Sequence, residues 1–181
     1  MAPELVLNVV VAGVLTGLVY GLMALGLSVI FGVVRVVNFA HGEMMTVAMY
    51  AAAALFAAFS LDPFLAVLPV AAAFFLLGYA LQAGIINPFI TRPEHSQFML
   101  LVAVAIILVN ALLIVFGPDA RNVQVGYQLE SYELGKLLID KARVFAAGLA
   151  VAAALLLFSF FRFTLTGKAI RACADNYLGA R

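Results

Sequence analysis

Gly17-Leu18-Val19-Tyr20-Gly21-Leu22-Met23-Ala24-Leu25-Gly26-Leu27-Ser28-Val29-Ile30-Phe31-Gly32 contains no charged side chain, and it lies within a longer uncharged run over 5–34. At about 1.5 Å per residue, a helix of that length more than crosses the roughly 30 Å of hydrocarbon in a bilayer. Four further apolar runs follow at 44–61, 64–86, 98–116 and 144–161. The predicted fold is an all-α polytopic membrane protein of about five transmembrane helices, with a polar break between the first and the second. The first span is long enough to tilt or protrude. Pro69 stands inside the third, where it can kink the helix, and Gly117-Pro118 ends the fourth.

Composition leads to the same solvent. Of 181 residues, 66% are hydrophobic and 10% charged, against about 45–50% and about 25% in soluble domains. One small soluble core cannot hide that much apolar surface. A formal net charge of +1 gives no reason to expect nucleic acid as a partner. The single cysteine, Cys173, excludes an internal disulfide and reads as a small apolar filler. Met1-Ala2-Pro3-Glu4 offers no positive n-region, so the first helix is expected to stay in the membrane.

Arg35, Arg92, Arg162, Lys168, Arg171 and Arg181 fall on one side if the spans alternate; Arg121, Lys136, Lys141 and Arg143 fall on the other. The short connections then place the N-terminus outside and the C-terminus in the cytoplasm. In the external loop, 117–143, Ser131-Tyr132-Glu133-Leu134 and Leu137-Leu138-Ile139 flank Gly135-Lys136, a pattern open to either a short hairpin or an irregular loop.

Within the first span, Gly13, Gly17, Gly21, Ala24, Ser28 and Gly32 are spaced 4, 4, 3, 4 and 4 apart. They fall within an arc of roughly 100° on one helix face. Glycine costs about 1 kcal/mol against alanine in a helix, so the stripe is expected to recover that cost by close helix–helix packing; a sliding surface or path lining is the alternative. Between spans one and two, Arg35-Val36-Val37-Asn38-Phe39-Ala40-His41-Gly42-Glu43 is the densest polar cluster near the membrane. Asn38 is a good N-cap for the next helix. Glu43 in its first turns suits the helix dipole, and Gly42 permits close approach or an unusual dihedral. The cluster reads either as an ordinary turn or as an irregular segment facing a path. His41 and Glu43 alone are too few ligands for a metal.

No phosphate loop is present, since Gly167-Lys168-Ala169 lacks both the upstream glycine and the hydroxyl. H-E-x-x-H and G-x-S-x-G are absent too. The chain is therefore not expected to be an enzyme, and no catalytic residue or cofactor is assigned to it.

The glycine-rich run leading into Asn38-Phe39-Ala40-His41-Gly42-Glu43 closely resembles the LivH-type permeases of branched-chain amino acid ABC importers; related urea permeases share much of the pattern, so other amino acids or urea are the substrate alternatives. Thr166-Gly167-Lys168-Ala169-Ile170-Arg171-Ala172-Cys173-Ala174-Asp175-Asn176 is similar to the cytoplasmic loop by which such permeases dock their ATPase, and Phe116-Gly117-Pro118-Asp119 is a weaker match. The resemblance implies a transmembrane permease region over 1–161 and a docking loop over 162–181. It puts Asn38, His41, Gly42 and Glu43 near the translocation path, and Gly167, Arg171, Ala172, Asp175 and Asn176 at the ATPase, with Thr166 read as the cap of a short coupling helix. Implied partners are membrane lipid, a second permease subunit, ATP-binding subunits that use the ATP, an extracytoplasmic solute-binding protein and an amino-acid substrate, in a bacterial or archaeal plasma membrane. Where family members carry Thr-x-Gly in the fourth span, this chain reads Leu101-Val102-Ala103. Family members also continue with further spans, so the chain is expected to be the N-terminal part of a permease. The rival expectation is a membrane scaffold or inactive permease fragment that moves nothing.

Overall fold

The structure, a computed structural model, describes residues 3–34, 36–119, 121–135 and 137–175. It contains six α-helices and one small sheet: α1 (Pro3–Val34), α2 (His41–Phe59), α3 (Pro63–Leu81), α4 (Glu94–Phe116), β1 (Ser131–Leu134), β2 (Leu137–Asp140), α5 (Lys141–Phe163) and α6 (Leu165–Asp175). Five of these helices are long and apolar enough to cross a membrane. Large apolar side chains point outward all along them; Ile114 is 85% exposed and Phe75 75%. Such surfaces belong against lipid or other protein, not water. The chain is an all-α polytopic membrane protein.

It divides into two compact units, Met1–Arg35 with Gln124–Arg181, and Val36–Val123. In the first, α5 packs on α1, and α6 folds back against both. Ala147 and Ala150 are the buried residues of α5, and their small side chains let helices approach closely. In the second unit, α2 packs on α3 and on α4. Its buried residues are Val36, Ala40, Ala66, Leu101 and Val104.

The helix boundaries follow from capping. Asp62 Oδ1 accepts from Phe64 N at 2.9 Å and starts α3 with Pro63 at its first position. Ser60, at φ 53°, closes α2 by donating its N–H to Phe56 O. Gly117 closes α4 at φ 78°, in the region that only glycine enters freely, as the Gly117-Pro118 pair predicts. The helices outrun the apolar segments at their polar ends: α2 begins at His41, α4 at Glu94 and α5 at Lys141, not at 44, 98 and 144. Hydropathy marks the part that lies in hydrocarbon, whereas hydrogen bonding carries the helix on into its cap. Pro69 lies inside α3, and the helix continues through it. The backbone departs from α-geometry later, in a wide π turn at Gln82–Ile86 and a tight 3-10 turn at Asn87–Phe89, where Gln82 Nε2 donates to Asn87 Oδ1 at 2.9 Å.

The loop after α4 does contain the hairpin. β1 and β2 pair antiparallel, with Ser131 opposite Asp140 and Leu134 opposite Leu137, and Gly135 takes φ 65° in the turn. The first turns of α1 hold it, since Leu138 N donates to Asn8 Oδ1 at 2.9 Å. Part of the excess length of α1, about 48 Å over 32 residues, is used there. Asn8→Ala should speed amide exchange at Leu138 by about five-fold, for a hydrogen bond worth about 1 kcal/mol. Unchanged exchange would mean that the strand holds its place without α1.

Candidate functional site

The polar break forms a compact turn. Asn38 Oδ1 accepts from Ala40 N at 3.1 Å, Asn38 O accepts from His41 N at 3.2 Å, and Asn38 Nδ2 lies 3.9 Å from Met44 Sδ. Asn38 therefore braces the approach to α2 and is not its N-cap; Ala40 holds that position without a side-chain bond. The correction has a simple cause, because a side chain that bonds two residues onward makes an Asx turn and uses up the oxygen a cap would need. Phe39 meets Phe98 edge to face at 4.6 Å between centroids, tying the turn to α4. Glu43 sits in the first turn of α2, as expected from the dipole. Gly42 has neither a positive φ nor any atom within 4 Å of where a Cβ would stand, so neither anticipated reason for a glycine applies. Arg35 lies outside the described residues.

His41 is the first residue of α2. Among the described residues, its Nε2 is the one side-chain polar atom that is closed to solvent and has no hydrogen-bond partner. Buried polar atoms in folded proteins nearly always have a partner, an ordered water included, so this nitrogen calls for one beyond the described residues. Among the described residues no three His, Cys, Asp or Glu side chains gather closely enough to hold a metal.

The small-residue stripe on α1 is open. Gly13, Gly17, Gly21, Ala24, Ser28 and Gly32 are all exposed. A Cβ at any of the four glycines would meet nothing within 4 Å among the described residues. The helix–helix contact expected of the stripe is not made among the described residues.

The docking residues fall on α6 and around it. Its N-cap is Thr164, not Thr166: Thr164 Oγ1 accepts from Gly167 N at 2.9 Å and donates to Phe160 O at 2.6 Å, in an extended backbone conformation. One residue thus ends α5 and starts α6. Gly167 is buried, and a Cβ there would overlap the Phe160 carbonyl oxygen and come 2.6 Å from Phe161 Cα. Within this chain's described residues its role is to let α6 lie against α5, which gives the glycine of the motif a structural reason of its own. Arg171 and Ala172 are exposed, Asp175 ends the helix, and Asn176 lies outside the described residues. Sequence reading missed Thr164 as the cap, hidden by the second threonine two residues on, and took Arg162, in the last turn of α5, only as one of the cations that orient the spans.

Among the cavities that border these elements are the following two. One of about 700 Å³ lies between α2 and α4, with Tyr50, Phe116 and Arg121 on its wall. Tyr50 and Phe116 lie 4.6 Å apart, and Arg121 Nη2 caps α4 by donating to Phe116 O at 3.1 Å. The other, of about 510 Å³, lies between α1, α5 and α6. Gly167→Ala should lower stability by about 1–3 kcal/mol, the usual cost of overpacking, read as a fall in the unfolding midpoint in detergent. An unchanged midpoint would mean that α6 does not sit against α5.

Comparison with known proteins fits this architecture. Residues 9–181 match the family described as the permease component of branched-chain amino acid transport systems. Curated relatives include the proteins named high-affinity branched-chain amino acid transport system permease protein LivH from Salmonella typhimurium and from Escherichia coli K12, each 23% identical over 185 residues. The aligned region covers 91% of this chain and 57% of each relative, so the chain spans little more than half their length. No solved structure matches it. Five spanning helices and a family match over nearly the whole chain lead to one conclusion: the chain belongs to the family of branched-chain amino acid transport permeases.

Proposed function

We propose that the chain acts as a permease subunit of an ATP-driven importer of branched-chain amino acids, with ATP hydrolysed by separate partner subunits. The family match over residues 9–181 carries this reading. The N-terminus lies outside and α6 faces the cytoplasm, following the cation distribution of the short connections. A solute-binding protein delivers the amino acid at the outer face. The turn Asn38–Glu43 lines the path, where His41 Nε2, unpaired among the described residues, takes a hydrogen bond with the solute, a water molecule or a neighbouring subunit. ATP-binding subunits dock on the exposed side of α6, which carries Lys168, Arg171 and Ala172. The open stripe on α1 receives a second permease or further spans, in the manner of small-residue helix contacts in lipid.

The tagged chain, purified from its native membrane in mild detergent, should bring down P-loop ATPases and a second permease. Recovery alone, or with unrelated membrane proteins, would favour a scaffold or inactive fragment. Ala172→Trp, which places bulk on the exposed side of α6 without touching α5, should lose the ATPases and keep the second permease. His41→Phe should leave the assembly intact and lower amino-acid uptake by about ten-fold, for one lost hydrogen bond of about 1.5 kcal/mol. Normal uptake by that variant would remove His41 from the path.

A further inference from the structure

The cavity between α1, α5 and α6 has an apolar wall made by Leu25 and Val29 of α1 and Leu157 and Phe161 of α5, and two cations on its border, Arg162 and Arg171. Among the described residues none that lines it is acidic. No ion pair joins either guanidinium to a carboxylate whose side chain is described. Arg162 stands over the Phe158 and Phe163 rings at 6.0 and 5.9 Å, which restrains it while leaving its hydrogen-bond donors free. The cavity belongs to the last turns of the two spans, since α1 ends at Val34 and α5 at Phe163. At that level a bilayer changes from acyl chain to headgroup.

We propose that this cavity is a binding site for an anionic phospholipid, with one acyl chain against the apolar wall and the phosphate between Arg162 and Arg171. Its volume of about 510 Å³ falls in the roughly 300–1,000 Å³ range of ligand pockets. Charge selects the class of occupant. A free amino acid would bring an ammonium group to a border that carries two cations and, among the described residues, no acid. A zwitterionic lipid brings the same mismatch in its headgroup. A lipid of net negative charge meets both guanidiniums as hydrogen-bonded counter-ions, and its chain satisfies the wall. Arg171 then joins α6 to the membrane surface, and the inference requires only that the chain spans a bilayer.

The test uses the whole chain in nanodiscs of phosphatidylcholine and phosphatidylglycerol, with retained lipid read by native mass spectrometry. Two basic side chains should favour phosphatidylglycerol by roughly ten-fold or more. Arg162→Gln with Arg171→Gln should abolish that preference, and Ala154→Phe, which fills the wall and keeps both charges, should reduce retention of either lipid. Lys168→Gln, which changes a cation of α6 that does not border the cavity, should leave the preference unchanged. Equal retention of the two lipids by the unaltered chain would overturn the site. So would a preference that survives the double substitution, or one that falls as far with Lys168→Gln, since that reflects general surface charge. A benzophenone amino acid at Leu157, irradiated in native membranes, should gain the mass of one phospholipid; an adduct with a protein would give the cavity to another subunit or segment instead.

Discussion

Hydrocarbon offers no hydrogen bond to a peptide group, so every backbone donor and acceptor that enters the bilayer must be satisfied within the chain. The remaining features of this structure follow from that restriction. Polar side chains within the helices bond back one turn: Thr16 Oγ1 donates to Ala12 O, Thr46 Oγ1 to Gly42 O, and Asn110 Nδ2 to Ile106 O. Helix ends are closed over very short distances. Asp62, Asp140 and Thr164 each bond a backbone N–H at the start of a helix, and Ser60 and Gly117 bond back to the carbonyl four residues earlier. Two of the connections are correspondingly brief, three residues between α2 and α3 and one between α5 and α6.

This is also why much of the fold was legible in the sequence. Spans declare themselves through uninterrupted apolar length, and all five are found where the runs lie. The boundaries were less legible, because His41, Glu94 and Lys141 are polar residues that continue a helix beyond the hydrocarbon. Hydropathy does not register them; hydrogen bonds do. The hairpin was balanced between two expectations and was decided by contacts no local pattern contains, among them the bond from Leu138 to Asn8, 130 residues away in sequence.

The candidate site was legible in its residue types but not in its geometry. Asn38 was expected to bond near the start of α2, and it does, but to Ala40 and not as the cap. Gly167 was noticed as part of a motif, while its physical reason, the backbone of α5 pressed against it, exists only in three dimensions. Small residues gave opposite outcomes in the two places they drew attention. The stripe on α1 is bare, and the single glycine of α6 is sealed. Spacing reveals that backbones can approach, and it is silent on which partner does so.

The joints on either side of α5 carry a mechanical consequence. Asp140 is at once the last residue of β2 and the cap of α5, and Thr164 is at once the end of α5 and the start of α6. Between hairpin and α6 stands a single rod of 23 residues, about 35 Å long. No slack loop interrupts this train, and each coupling is a lone residue tied by its side chain to the helix it begins. The register of hairpin, rod and α6 is therefore set residue by residue, and an extra residue at either joint would find no loop to absorb it.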